Sequence, residues 1–469
     1  MSEQLQLDEM QGLLLRGYGG LPHATFLLYG VGQPAPARAW LGELAGRLNT
    51  AAHKPQGSAI NVALTVPGMR ALGLPASALA SFPPEVAEGM VTEHRSRVLG
   101  DADESAPEHW WFGGPGNPRI DLVVLAYAGD GAALAELVDE LAAGAGGAGL
   151  TELNRLETSD IGRAEHFGFR DGISQPRLSG VGSAVKDATV SPGELVLGYP
   201  DGYGLYAARP LVAAADDPAR LLPADAEGSG AHDLGRNGSY LVLRQLEQDV
   251  PAFWRYAAAQ TDGEAARLKL AAKMVGRWPS GAPLVLSPEG DRPDMDEARL
   301  NAFRFHDVDA DGVRCPVGAH IRRTNPRDSL DPNPGSDHSV EVSNHHRLLR
   351  RGRSYGPRLQ IADALAGGPG ADEQRGLYFM CLNTNLPRQF EFVQQTWVNS
   401  PKFGSLYDEP DPIVAPGGAF SMPGAPVRRR VTGVPRFVTV RGGAYFLLPS
   451  VAAVRYLAAL SGGEPGNSS

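Results

Sequence analysis

Residues 24–157 constrain the fold more than any other stretch, because their apolar residues change period in a readable order. ATFLLYGV (24–31) is a continuous apolar run of strand length. In ARAWLGELAGRLNTA (37–51), Trp40, Leu41, Leu44 and Leu48 recur at three- and four-residue spacing, which predicts a helix with one buried face. SAINVALTV (58–66) alternates Ile60, Val62, Leu64 and Val66, the period of a half-buried strand. A Pro- and Gly-rich excursion that includes HWWFGGPGNP leads to a further strand, RIDLVVLAY (119–127). Residues 130–143 read as a helix with Asp130 as N-cap, and 149–157 as a closing strand. The order is β-α-β-β-α-β, the split βαβ pattern of ferredoxin-like folds.

The second half echoes this order. SYLVLRQL (239–246) predicts a strand, DVPAFWRYAAAQ a helix, GLYFMCLN (376–383) a strand, LPRQFEFVQQTWV (386–398) a helix and GAYFLLP (443–449) a strand, followed by the helix VAAVRYLAAL. A second strand for this unit is not evident from the pattern. The expectation is an α+β protein of two ferredoxin-like units with antiparallel sheets, 1–185 and 186–462, joined through a loop-rich stretch around 183–237. The tail 463–469 reads as disordered.

A net charge of -10 argues against a nucleic-acid surface, which would need a basic face. Cys315 and Cys381 form no CxxC pair and no CxxCH, so zinc, iron–sulfur and covalent haem sites are unsupported; two buried thiols are expected rather than a disulfide. The N-terminus carries no basic-then-apolar run and no twin arginine, and no apolar stretch approaches the ~20 residues that span a bilayer. A cytoplasmic protein without a membrane partner is expected.

Three stretches carry groups suited to chemistry. In EHFGFRDGISQP (165–176), Asp171 follows Phe167 and Phe169. Asp-Gly alone reads as a turn, but a carboxylate held against aromatic rings is partly desolvated, which tunes it toward acid–base work. In CPVGAHIRRTNPRD (315–328), small Gly318 and Ala319 before His320 would let a flat group approach, and imidazole is a normal haem-iron ligand. Arg322, Arg323 and Arg327 follow; guanidinium groups suit carboxylates such as haem propionates, or else these side chains line a solvated loop. RLLRRGRSYG (347–356) opens a run of five arginines within 347–358, read as an anion site or a charged surface, with Leu348 and Leu349 turning Arg350 inward.

These blocks resemble the dye-decolorising peroxidase family. GFRDG looks like the family's GxxDG signature, AHIRRTNPR like its proximal-histidine segment and LLRRGRSYG like the segment that carries its distal arginine. GLYFMCLN resembles the strand that lines the distal pocket, and RQFEFVQQTW the helix behind the proximal histidine. All five occur in the family's order across about residues 165–403, and the opening QGLLLRGYGGLPHATFLL is also similar to the start of members.

The resemblance implies a pair of ferredoxin-like domains with the haem pocket mainly in the C-terminal unit, and one haem b per chain. His320 would be the axial ligand of the iron, Asp171 the distal acid–base residue and Arg350 the distal cation, with Arg347 its rival. Arg327, Leu377 and Phe379 would contact the cofactor, and Glu391 would be the acid behind His320. Hydrogen peroxide would be the oxidant. Dyes, phenols or other bulky aromatic donors would be oxidised through an oxo-ferryl intermediate, with Trp397 and Tyr355 as relays toward the surface. The oligomeric state stays open. A haem-binding or haem-handling protein is the alternative; it would share His320 without needing Asp171.

Other signals are weaker. Asp307-x-Asp309-x-Asp311-Gly312 opens like an EF-hand loop but has Gly318 where the twelfth-position Glu belongs, so a turn is expected. His345 and His346 are adjacent, not at helical metal-site spacing, and read as surface. Neither a phosphate-binding GxxxxGK[ST] loop nor a GxSxG nucleophile elbow occurs.

Overall fold

In the computed structural model, which describes residues 4–424 and 426–461, the first predicted unit forms in the predicted order. It runs β1 (His23–Val31), α1 (Pro34–Ala45), β2 (Ser58–Leu64), β3 (Leu122–Ala128), α2 (Gly131–Gly147) and β4 (Leu150–Glu157). Pro34 opens α1, where its missing N–H has no helical partner to lose. α1 stops at Ala45, short of the expected 51, and the Asn49 side chain instead accepts the Ile60 N–H at 2.7 Å to start β2. Asp130 caps α2 by accepting the Ala133 N–H at 2.9 Å. The strands pair in the order β2-β3-β1-β4, the arrangement a split βαβ unit produces.

The second half comprises β5 (Ser239–Gln248), α3 (Val250–Ala259), α4 (Glu264–Val275), α5 (His320–Thr324), β6 (Leu349–Arg350), β7 (Arg353–Tyr355), β8 (Gly376–Asn383), α6 (Phe390–Phe392), β9 (Val438–Leu448) and α7 (Val451–Ala459). Its pairing order, β6-β8-β5-β9, repeats that of the first half position by position. The strand the pattern did not reveal is therefore β6 with β7, interrupted at Arg351 and Gly352. Both pieces lie in the arginine-rich segment and are too short to show a period of two.

The two halves share one nine-stranded sheet, joined where Leu447 of β9 meets Leu64 of β2. One face buries Leu27, Val62, Leu64, Val124 and Leu447 against α1, α2 and α7. The other buries Phe26, Leu28, Val123, Leu241 and Phe446 against Met10, Leu13 and Leu14. Alternate residues thus fill two cores, and each fully buried side chain of this size contributes about 1.5–3 kcal/mol. A third cluster, with Phe167, Phe169, Phe253, Trp254 and Phe437, packs around the second half.

Three further expectations meet the structure here. The helix expected over 386–398 begins only at Phe390, because the Gln389 side chain folds back to accept the N–H groups of Thr384 and Asn385. It then widens into a π-helix, Val393–Val398, a form frequent at functional sites. Cys315 and Cys381 are free, buried thiols. Asp309 ends a short helix and accepts the N–H groups of Arg314 and Cys315, so the EF-hand-like segment is a turn; no cluster of three or more metal-ligating side chains occurs among the described residues. The expected tail at 463–469 lies outside the described residues. No described helix is long and apolar enough to cross a membrane.

Candidate active site

Asp171 is presented by a loop that doubles back on itself. Ala164 bridges Arg170, the Glu165 N–H donates to the Phe169 carbonyl and the Gly168 N–H returns to the Glu165 carbonyl, both at 2.9 Å. Gly168 and Gly172 have φ of +96° and +77°, which side chains with a Cβ rarely adopt; this is why glycines bracket the acid. Phe167 packs on Phe253 and Phe169 stacks on Trp254, with ring centroids 4.6 and 6.3 Å apart. These anchors leave the Asp171 carboxylate half exposed, facing a cavity.

Arg350, on β6, donates from Nη1 to Asp171 Oδ1 at 2.7 Å, while its backbone N–H donates to the Gln175 side chain. Burial alone would raise the Asp171 pKa; the guanidinium and the Gly172 N–H outweigh it and hold the carboxyl below its ordinary range. Arg347 lines the same cavity but, among the described residues, its guanidinium reaches only Ser174 Oγ, at 3.4 Å.

His320 opens α5 and faces the same cavity, as do Leu377 and Phe379 on β8. Its Nδ1 lies 2.9 Å from Asp411 Oδ2. With Nδ1–H donating to that carboxylate, Nε2 keeps a free lone pair. Asp411 is itself fixed, since Oδ1 accepts the N–H groups of Ile413 and Val414 at 2.9 and 3.1 Å. Burial would lower the His320 pKa, but the Asp411 carboxylate more than offsets it and the group lies above its ordinary value.

Asp411, not Glu391, is thus the acid behind His320. Glu391 accepts from Arg95 Nη1 at 2.8 Å and from Tyr445 OH at 3.0 Å, tying the helix Glu93–Leu99 to β9. In the sequence nothing separates Asp411 from its neighbours Asp408 and Glu409; only the fold brings it to His320. Gly318 packs near the Leu406 and Phe420 side chains, from which an added Cβ would lie 3.3 and 3.6 Å.

The arginines divide into two groups. Arg322 and Arg323 turn away from the cavity to backbone carbonyls, including those of Asp309 and Trp397. Arg277, Arg327 and Arg347 line the cavity, and none forms an ion pair among the described residues. Arg277 and Arg327 donate to the carbonyls of Leu300 and Phe303. Burial pushes Arg277 and Arg347 down to about 10, and their charges, after burial, press Arg327 down as well. Buried cations without a counter-charge favour an anion in the cavity. Leu246, Val393, Val398 and Val440 supply apolar wall, and Glu165 and Gln248 add polar groups. An apolar slot with a free imidazole nitrogen, and cations awaiting carboxylates, fits a planar metal cofactor such as haem.

Tyr355 and Trp397 do not reach the surface. Tyr355 stacks on Tyr378 at 4.7 Å, and Trp397 is buried beside Phe392 and His346. Nor are the two histidines surface groups: His345 Nδ1 pairs with Glu194 at 2.8 Å, and His346 stacks on Phe392.

Comparison with known proteins supplies the context. No protein-family profile matches the chain. The chain is 33% identical over 445 residues to Peroxidase 2 of Mycetinis scorodonius, covering 87% of this chain and 78% of that one. It is 32% identical to the Multifunctional dye peroxidase DyP2 of Amycolatopsis sp., covering 96% of each. A solved dye-decolorizing peroxidase in complex with 2,6-dimethoxyphenol superposes with a TM-score of 0.79 at 27% identity, over 97% of this chain and all of that chain. The DyP-type peroxidase of Auricularia auricula-judae gives the same TM-score at 25% identity, over 98% of this chain. With one fold and one sequence family shared over nearly its whole length, the chain belongs to the dye-decolorising peroxidases.

Proposed function

We propose that the cavity holds one haem b per chain and activates hydrogen peroxide, and that one observation carries this reading: His320, Asp171 and Arg350 share a single cavity. His320 Nε2 would ligate the iron, Arg277, Arg327 and Arg347 would meet the propionate carboxylates, and Leu377 and Phe379 would cover the porphyrin. When bound, haem supplies the redox centre that takes up the oxidising equivalents of the peroxide.

The side chains handle the protons. Asp171, ionised because Arg350 adjoins it, takes the proton from the nearer peroxide oxygen and returns it to the farther one, so that water leaves. Arg350 also stabilises negative charge that develops on the leaving oxygen. Asp411 makes the His320 imidazole more electron-rich. Two electrons then come singly from a reducing substrate. The relative bound to 2,6-dimethoxyphenol supports phenols as donors, and the family name supports dyes. We read the two sheet units as 1–185 and 186–462, with the pocket mainly in the second.

Asp171→Asn tests the assignment. In stopped-flow mixing with peroxide, the variant should keep its haem spectrum and react roughly 10²–10⁴-fold more slowly. An unchanged rate removes Asp171 from the chemistry and favours a haem-binding protein that needs only His320.

A further inference from the structure

The loop that presents Asp171 contains a second carboxylate, which the mechanism does not use. Glu165 turns into its own loop. Its Oε2 accepts the Phe167 N–H at 2.9 Å and the Gln248 Nε2 amide at 2.7 Å, and its Oε1 accepts the Phe169 N–H at 3.0 Å. Phe169 lies two residues before Asp171. Gln248 ends β5 and is fixed by its own N–H on the Arg375 carbonyl. One side chain therefore holds the loop's curvature and ties the loop to the central sheet. Glu165 and Gln248 both line the cavity that Asp171 faces.

We propose that Glu165, held by Gln248, is the residue that positions Asp171 for its reaction with peroxide, and that its protonation state sets that position. This rests on the peroxide chemistry assigned to Asp171 above.

The Glu165 carboxylate accepts from three donors, so its ionised form is the one that fastens the loop. Yet among the described residues no cation pairs with it. Arg170, beside it in the loop, turns out to Glu297. Arg375 donates to the carbonyls of Pro357 and Gly370, and Arg244 on β5 pairs with Asp101. His166 donates from Nε2 to the Tyr355 carbonyl, and burial lowers it to about 4, so it is neutral. Asp171, a like charge, also bears on it, and Arg277 and Arg350 line the same cavity. Burial raises Glu165 to about 7, against the pull of its N–H bonds and with a further push from Asp171.

Two carboxylates of one loop are thus driven apart, Asp171 held below the ordinary carboxylate range by Arg350 and Glu165 raised to about 7. Gln248 can serve both states. Its Oε1 has no hydrogen-bond partner among the described residues, and a half-turn of the amide presents that oxygen to a protonated Glu165. The loop keeps a tether in either state, but Phe167 and Phe169 N–H are held by a full negative charge only above the transition.

The test uses the haem-loaded protein and its Glu165→Gln and Gln248→Leu variants. Infrared difference spectra should show the carbonyl stretch of a buried protonated carboxyl that disappears between about pH 6 and 8, and Glu165→Gln should lack it. The peroxide reaction of the unaltered protein should show an inflection in the same range. Glu165→Gln should lose the inflection and react about 10- to 100-fold more slowly above it, as expected of a displaced catalytic group. Gln248→Leu removes one donor to the ionised form and should move both the infrared transition and the inflection to higher pH. The proposal is overturned if the unaltered protein shows no such band, or if Glu165→Gln keeps both rate and inflection. Asp171→Asn run in parallel separates the two readings: if it too reacts at the full rate, the peroxide assignment has failed rather than the role of Glu165.

Discussion

At the scale of single residues, the site works by opposed environments. Asp171 has a guanidinium 2.7 Å away and stays ionised, while His320 has a carboxylate at 2.9 Å and stays electron-rich. Asp171, His320 and Arg350 could be singled out in the sequence chiefly because their blocks resemble family segments, since the residues alone read as readily as a turn or a charged surface. In the structure, glycines with left-handed backbone bracket Asp171, and Arg350, which follows two leucines, does line the cavity. Asp411 was not legible, since its bond to His320 spans 91 residues and comes from an unremarkable acidic loop. Exchanging Asp411 for Asn keeps the size but removes the charge, and should cost about 10–100-fold in peroxide reactivity or haem affinity. Glu391→Gln, by contrast, should leave the haem spectrum unaltered and lower only thermal stability, because its partners are Arg95 and Tyr445. Equal spectral effects of the two substitutions would undo the distinction.

Among the elements, those with a clear period formed where expected. β1 to β3, β5 and β8 are rich in apolar residues, and β4 follows Gly149 with leucines at Leu150, Leu153 and Leu156, so local signals and tertiary packing agree. β6 and β7 escaped because they are only two and three residues long and lie among arginines, although Leu349 and Tyr355 are buried in a core. Gly352 lies between them, close against β8; a Cβ there would be 2.8 Å from the Tyr378 carbonyl oxygen and 3.4 Å from Phe379 Cα. Gly352→Val should therefore push the segment off β8 and displace Arg350. We expect a loss of roughly 1–3 kcal/mol in denaturant unfolding, together with a slower peroxide reaction. Wild-type values for both would show that the interruption tolerates a side chain. The π-helical turn at Val393–Val398 was equally invisible, since its apolar residues fit an ordinary helix; in the structure it brings Val393 and Val398 to the cavity wall.

For the whole molecule, the repeated strand order means that one sheet carries both halves, and the cavity is built on the second with a loop contributed from just beyond β4. The sheet fixes β6 and β8, which carry Arg350, Leu377 and Phe379, while α5 brings His320 from the loop-rich region outside it. This arrangement makes cofactor binding the property that joins all the parts. The most direct test is an absorption spectrum of the purified protein and of its His320→Ala variant, each supplied with haem and then mixed with one equivalent of hydrogen peroxide. A Soret band in the unaltered protein that shifts rapidly on mixing, and is lost or altered before mixing in His320→Ala, is the predicted result. A protein that shows no Soret band after haem is supplied, or a variant whose spectrum and peroxide response match the parent, would contradict the account.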